Sequence, residues 1–115
     1  MKAFKKSISK KHLFREYVNI LNGLLQLSNK ECEVLAILLQ INYNKTTLSD
    51  ILHKDIRKYI MDELNIKKSN LSKYLSTLKE KGVISKDYKG HYINKMFIPD
   101  ISDNTSETVF ILDIK

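Results

Sequence analysis

The chain has 115 residues, 43% of them apolar and 29% charged, with a net charge of +7, a size that supports one hydrophobic core and no second one. Its longest apolar run, residues 34–39, falls well below the roughly 20 residues that span a bilayer. No apolar stretch follows the basic residues 2–11, so export is not expected and the expected compartment is the cytoplasm.

Residues 1–9 lack periodicity and read as a basic arm ahead of one domain over residues 10–99. From Leu13, apolar side chains recur at Phe14, Tyr17, Val18, Leu21, Leu24 and Leu25, the spacing of an amphipathic helix. Asn22-Gly23 within it is also a hairpin signal. The flanking apolar residues do not alternate, so a helix, kinked at that pair, is the expected form. Ser28 and Glu31 have capping-box spacing and open a second helix that buries Cys32, Leu35, Ala36, Leu38 and Leu39 and fades at Asn42. A lone cysteine among apolar neighbours reads as a core thiol, not a nucleophile. β-Branched residues within 46–52 suggest a short strand. A third helix follows, with Asp62 and Glu63 on its solvated face and Ile56, Tyr59, Ile60 and Leu64 inward. Asn65, which tolerates left-handed backbone, ends it.

Ser69 is the expected cap of a fourth helix that runs to about Lys81, with Gly82 where a terminating glycine belongs. Residues 83–86 and 91–98 are extended runs around Asp87-Tyr88-Lys89-Gly90, a β-hairpin pattern that Pro99 closes. Residues 100–107 read as a polar connector. A last strand runs from Thr108 to Ile114, with Val109, Phe110, Ile111 and Leu112 available to a homodimer or to a partner protein's sheet. The predicted class is α+β, mainly α. Its order of helix, helix, strand, helix, turn, helix and hairpin is that of a winged helix-turn-helix with an extra C-terminal strand.

The charge is unevenly placed. Residues 1–15 carry +6, residues 16–66 carry −2, residues 67–98 carry +6 and residues 99–115 carry −3. Two concentrated basic segments point to a polyanionic partner. On the fourth helix, Leu71, Tyr74, Leu75 and Leu78 share one face, while Ser69, Ser72, Lys73, Ser76, Thr77 and Glu80 lie opposite with Asn70 on the flank. Short hydroxyl side chains let a helix axis approach base edges in the major groove. Lys67 and Lys68 precede a helix N-terminus that already favours phosphate. Ser69, Asn70 and Lys73 are the candidates for base contact, and the hydroxyl of Ser69 suits a cap or a phosphate equally. In the hairpin, Lys86, Lys89, His91 and Lys95 alternate with Tyr88, Tyr92 and Phe97. The first four, with Ser76 and Thr77 of the helix, are further expected DNA contacts, since a basic hairpin beside the helix can reach the adjacent minor groove or the flanking phosphates. Tyr92 and Phe97 are expected to close the core, and His91 to act as a neutral hydrogen-bonding group. The partner this pattern predicts is double-stranded DNA; neither a membrane nor a small-molecule ligand is expected. No glycine-rich phosphate loop, zinc ligand set or nucleophile–base pairing is recognisable, so no enzyme, metal or cofactor is expected.

Residues 69–84, SNLSKYLSTLKEKGVI, resemble the recognition helix and the start of the wing in winged-helix regulators of the MarR type, which read S-x-x-S-[RK]-x-[LV]-x-x-L-x-x-K-G-[LI]-I. Leu27-Ser28-Asn29-Lys30-Glu31 with Val34-Leu35 is similar to the LT-x-x-E-x-x-VL start of the same group. Over residues 14–98 the chain also resembles the winged-helix domain of plasmid- and phage-type replication proteins, notably at Gly90-His91-Tyr92-Ile93-Asn94. The resemblance implies DNA binding by Lys68, Ser69, Asn70, Ser72 and Lys73, in replication or transcription control. Lys95 stands where the replication proteins have proline, and the long terminal helices by which MarR proteins dimerise and sense ligands are lacking. Winged helices also dock proteins, so a module in a phage particle or replication assembly is the alternative.

Overall fold

The structure is a computed structural model that describes residues 10–44 and 50–99. The basic arm of residues 1–9, most of the expected strand at 46–52, and the connector and final strand over 100–115 lie outside the described residues. What is described is α+β and mainly helical: α1 (Lys10–Leu25), α2 (Asn29–Asn44), α3 (Lys54–Leu64) and α4 (Lys68–Glu80), then β1 (Ile84–Asp87), β2 (Gly90–Ile93) and a 3-10 turn over Lys95–Phe97.

α1 buries Leu13, Phe14, Tyr17, Val18, Leu21 and Leu25 against α2. It continues through Asn22-Gly23 without becoming a hairpin, because Asn22 serves the helix end instead. Its side chain accepts from Leu27 N–H and donates to the Leu27 carbonyl, while Gln26 takes the left-handed conformation at φ 54°. Leu24, expected inside, is 64% exposed, since it sits outside the stripe that α2 covers. The capping box forms as expected: Ser28 N–H donates to Glu31 Oε1 at 2.8 Å and Glu31 N–H to Ser28 Oγ at 3.2 Å. α2 is the central helix. Cys32 and every residue from Val34 to Leu39 are buried, and α1, α3 and α4 all pack on it. Burial pushes the Cys32 thiol above its ordinary pKa, a shift that the nearby Arg15 only partly offsets, which suits a core thiol.

Residues 50–52 form a turn, not a strand. α3 then begins behind His53, whose Nδ1 accepts from Asp55 N–H at 3.2 Å. Ile60 is buried and Ile56 and Leu64 pack against the core, but Tyr59 is 49% exposed. Asn65 closes α3 in the left-handed conformation, φ 52° and ψ 53°. α4 starts earlier than its serine suggests. Lys67 is the N-cap with no side-chain bond, and Ser69 lies inside the first turn. The cause is upstream: Ile66 packs against the core and its N–H donates to the Met61 carbonyl, which re-aims the chain before Ser69 is reached.

α4 ends in a Schellman turn, with Gly82 at φ 77°, Val83 N–H on the Leu78 carbonyl at 3.0 Å and Gly82 N–H on the Lys79 carbonyl at 3.1 Å. β1 and β2 pair antiparallel, with Ile84 opposite Ile93, Ser85 opposite Tyr92, Lys86 opposite His91 and Asp87 opposite Gly90. The second strand stops at Ile93, short of the expected 98. Asn94 N–H donates to the Val83 carbonyl at 2.9 Å, and its side chain reaches the Gly82 carbonyl and Ser85 Oγ. The 3-10 turn that follows carries Phe97 and Ile98 onto the core. Phe97 closes the core as expected, whereas Tyr92 is 42% exposed.

Candidate nucleic-acid interface

Along α4, Leu71, Leu75 and Leu78 are buried while Ser69, Asn70, Ser72, Lys73 and Ser76 are exposed. The exposed face therefore carries short polar side chains around Lys73, with Lys68 at its start and Lys79 and Glu80 exposed at its C-terminal end. Thr77 is the departure from expectation: it is half-buried, and its hydroxyl donates to the Lys73 carbonyl at 3.3 Å within the helix. With the cap role taken by Lys67, the Ser69 hydroxyl stays on the surface. The first turn of α4 carries no acidic residue and no side-chain cap, so its positive dipole end faces solvent beside Lys67 and Lys68.

Sequence reasoning missed two basic residues here. Lys54 and Arg57 of α3 line a concavity of about 370 Å³ together with Lys68 and Ser72 of α4, over a floor that includes Met61 and Leu71. Arg57 Nε donates to the Leu52 carbonyl at 2.8 Å, which anchors the guanidinium at the cavity wall. The only signal for them in the sequence was their place one and four residues past His53, and their segment is acidic overall. Lys81 departs in the other direction. It contributes to the basic excess of residues 67–98, yet its Nζ donates to the Leu25 carbonyl and, at 3.1 Å, to the Gln26 carbonyl. That lysine closes the end of α1 and belongs to the fold.

In the hairpin, Lys86 and Lys89 are exposed, and Lys89 Nζ stands 5.6 Å from the centre of the Tyr88 ring. Tyr88, at 90% exposure, projects from the tip. Asp87 Oδ1 accepts from Lys89 N–H at 2.8 Å and shapes that tip. Lys95 is exposed but sits on the 3-10 turn past the strand, so it does not continue the hairpin's alternation. His91, expected among the DNA contacts, is instead turned inward: its side chain is 16% exposed, with Nδ1 3.2 Å from Asp50 Oδ1. None of Lys67, Lys68, Lys73, Lys86, Lys89 and Lys95 forms an ion pair among the described residues. Among the described residues no three His, Cys, Asp or Glu side chains gather as metal ligands, and no helix is long and apolar enough to cross a membrane.

No family model matches the chain, and no curated protein or solved structure matches it.

Proposed function

We propose that the protein is a winged helix-turn-helix that binds double-stranded DNA, with α4 in the major groove and the β1–β2 hairpin as the wing on the flanking backbone. The observation that carries this reading is the exposed face of α4: Ser69, Asn70, Ser72, Lys73 and Ser76, bounded by lysines that form no ion pair among the described residues. Such a face lets the helix axis come close to base edges, where Asn70 has the geometry for adenine and Lys73 for guanine. Lys67 and Lys68 meet phosphate at the helix N-terminus, Lys54 and Arg57 extend the same cationic surface onto α3, and Lys86 and Lys89 reach the backbone from the hairpin. His91, bonded to Asp50, supports the hairpin and makes no contact with DNA. The setting proposed for it is replication or transcription control.

The test is Lys68→Ala with Lys73→Ala, read by a duplex titration at several salt concentrations. The double variant binds more weakly by about 1–3 kcal/mol, and its salt slope is flatter by roughly 1–2. Unchanged duplex affinity overturns the reading. One observation favours the alternative, a protein-docking module: Ile20 and Leu24, four residues apart on α1, are both exposed. A chain that binds no duplex at low salt moves that role to first place.

A further inference from the structure

We propose that Asp50 is the positioning residue of the hairpin, a single carboxylate that sets the pose in which Lys86 and Lys89 reach the duplex held by α4. The inference rests on the DNA-binding reading above and adds to it the origin of the hairpin's alignment. The hairpin leaves α4 through Gly82, and its base is closed on itself by Asn94, which bonds to Gly82, Val83 and Ser85. Those bonds hold the two strands together, and the buried Ile84 and Ile93 seat the base of the hairpin on the core, which leaves the outer half toward the tip to be aligned. Among the described residues, the hydrogen bonds that tie the strands to anything outside residues 82–94 all go to Asp50 and Ile51. Ile51 N–H donates to the His91 carbonyl at 2.9 Å. His91 N–H donates to Asp50 Oδ1 at 3.2 Å, and the ring Nδ1 of His91 lies 3.2 Å from the same oxygen.

The register shows where this attachment acts. His91 stands opposite Lys86 and next to Gly90, which opens β2 directly after the Tyr88-Lys89 tip. Its N–H and carbonyl both turn away from β1 toward residues 50 and 51, as at a non-hydrogen-bonded pair of an antiparallel ladder. Asp50 therefore grips the hairpin near its tip, directly across from one of the two lysines. The carboxylate is itself fixed, because Asp50 Oδ1 also accepts from Leu52 N–H at 2.9 Å. Burial pushes the Asp50 carboxyl up, but the bonds from Leu52 and His91 outweigh it and hold the group below the usual carboxylate range. It stays charged at neutral pH. The turn continues into the cation cluster, since Leu52 lines the concavity with Lys54, Arg57 and Lys68 and its carbonyl holds Arg57. One short segment thus links the hairpin's lysines to those of α3 and α4.

The experiment compares Asp50→Ala with Asp50→Asn, each with and without Lys86→Ala/Lys89→Ala, by titration of a labelled random-sequence duplex over a salt series. Both Asp50 variants remove the same charge, but only asparagine keeps an acceptor oxygen for His91 N–H. In the wild type and in Asp50→Asn, loss of the two lysines weakens binding by roughly threefold to tenfold and flattens the salt slope by about 2. In Asp50→Ala the same loss changes affinity by less than about twofold, because the lysines no longer face the duplex. A loss in Asp50→Ala as large as in Asp50→Asn overturns the proposal, as does the absence of any loss in the wild type. Should Asp50→Ala not fold, Asp50→Glu carries the test: it keeps the charge, displaces the carboxylate by one methylene and gives the same muted lysine effect. Duplex binding that needs Lys68 and Lys73 while the hairpin's share ignores Asp50 defeats this proposal alone. A wild-type chain that binds no duplex defeats the DNA reading itself.

Discussion

α2 and α4 meet inside the molecule, and both carry apolar residues at helical spacing, but they use their circumference differently. α2 is wrapped by α1, α3 and α4, and its residues from Val34 to Leu39 are all buried. α4 buries only Leu71, Leu75 and Leu78 and leaves its other side to short polar groups and lysines. The first helix is committed to the core, whereas the second divides its surface between the core and an exposed polar face, the one proposed to meet DNA. Substitutions on α2 should therefore change folding, and substitutions on the outer face of α4 should change binding with folding intact.

The largest effect expected is at the centre of α2. Leu38→Ala, at a position with no exposure, destabilises the fold by about 2–5 kcal/mol, read from urea or thermal unfolding. Lys68→Ala with Lys73→Ala moves the other quantity: unfolding stays within about 0.5 kcal/mol of wild type while duplex affinity falls as stated above. The two serines near helix starts sharpen the contrast further. Ser28→Ala breaks the capping box and costs about 1 kcal/mol, while Ser69→Ala, which removes no cap, leaves stability nearly unchanged. Gly23 lies inside α1 with open space where a Cβ would stand, so Gly23→Ala raises stability by about 0.5–1 kcal/mol. Gly82→Ala has the opposite sign, because φ 77° strains any side chain.

The smallest effect is the pH dependence of Asp50. Its folded-state pKa lies below the ordinary value, so its contribution is present above the unfolded pKa of about 4 and is lost as pH falls through the folded value. The stability gap between wild type and Asp50→Asn, measured by thermal unfolding over a pH series, accordingly narrows on acidification below about pH 4.

Much of this division was legible in the sequence because periodicity reports burial directly. The stripes of α1 and α4, the capping box at Ser28 and the stops at Asn65 and Gly82 follow from local chemistry and occur where that chemistry puts them. The errors fall where a distant partner decides. Ser69 has the right chemistry for a cap, but the docking of Ile66 starts the helix one residue before it. Tyr59 and Tyr92 fit an apolar pattern yet are left largely exposed by the described residues. The site was readable where it lies on one helix face and unreadable where it is assembled across the chain. Lys54 and Arg57 join Lys68 only through the packing of α3 on α4, and His91 leaves the surface only because Asp50, 41 positions earlier, receives it. Lys81 shows the converse, a lysine that charge counting assigned to the surface excess and that the end of α1 occupies.

The most direct test of the central claim is the salt dependence of binding by the unmodified chain to a random-sequence duplex. With Lys67, Lys68, Lys86 and Lys89 on phosphates, the logarithm of affinity falls against the logarithm of salt with a slope of roughly −3.6, steeper by about 0.9 for each of Lys54 and Arg57 that also meets a phosphate. Absence of binding at low salt contradicts the account.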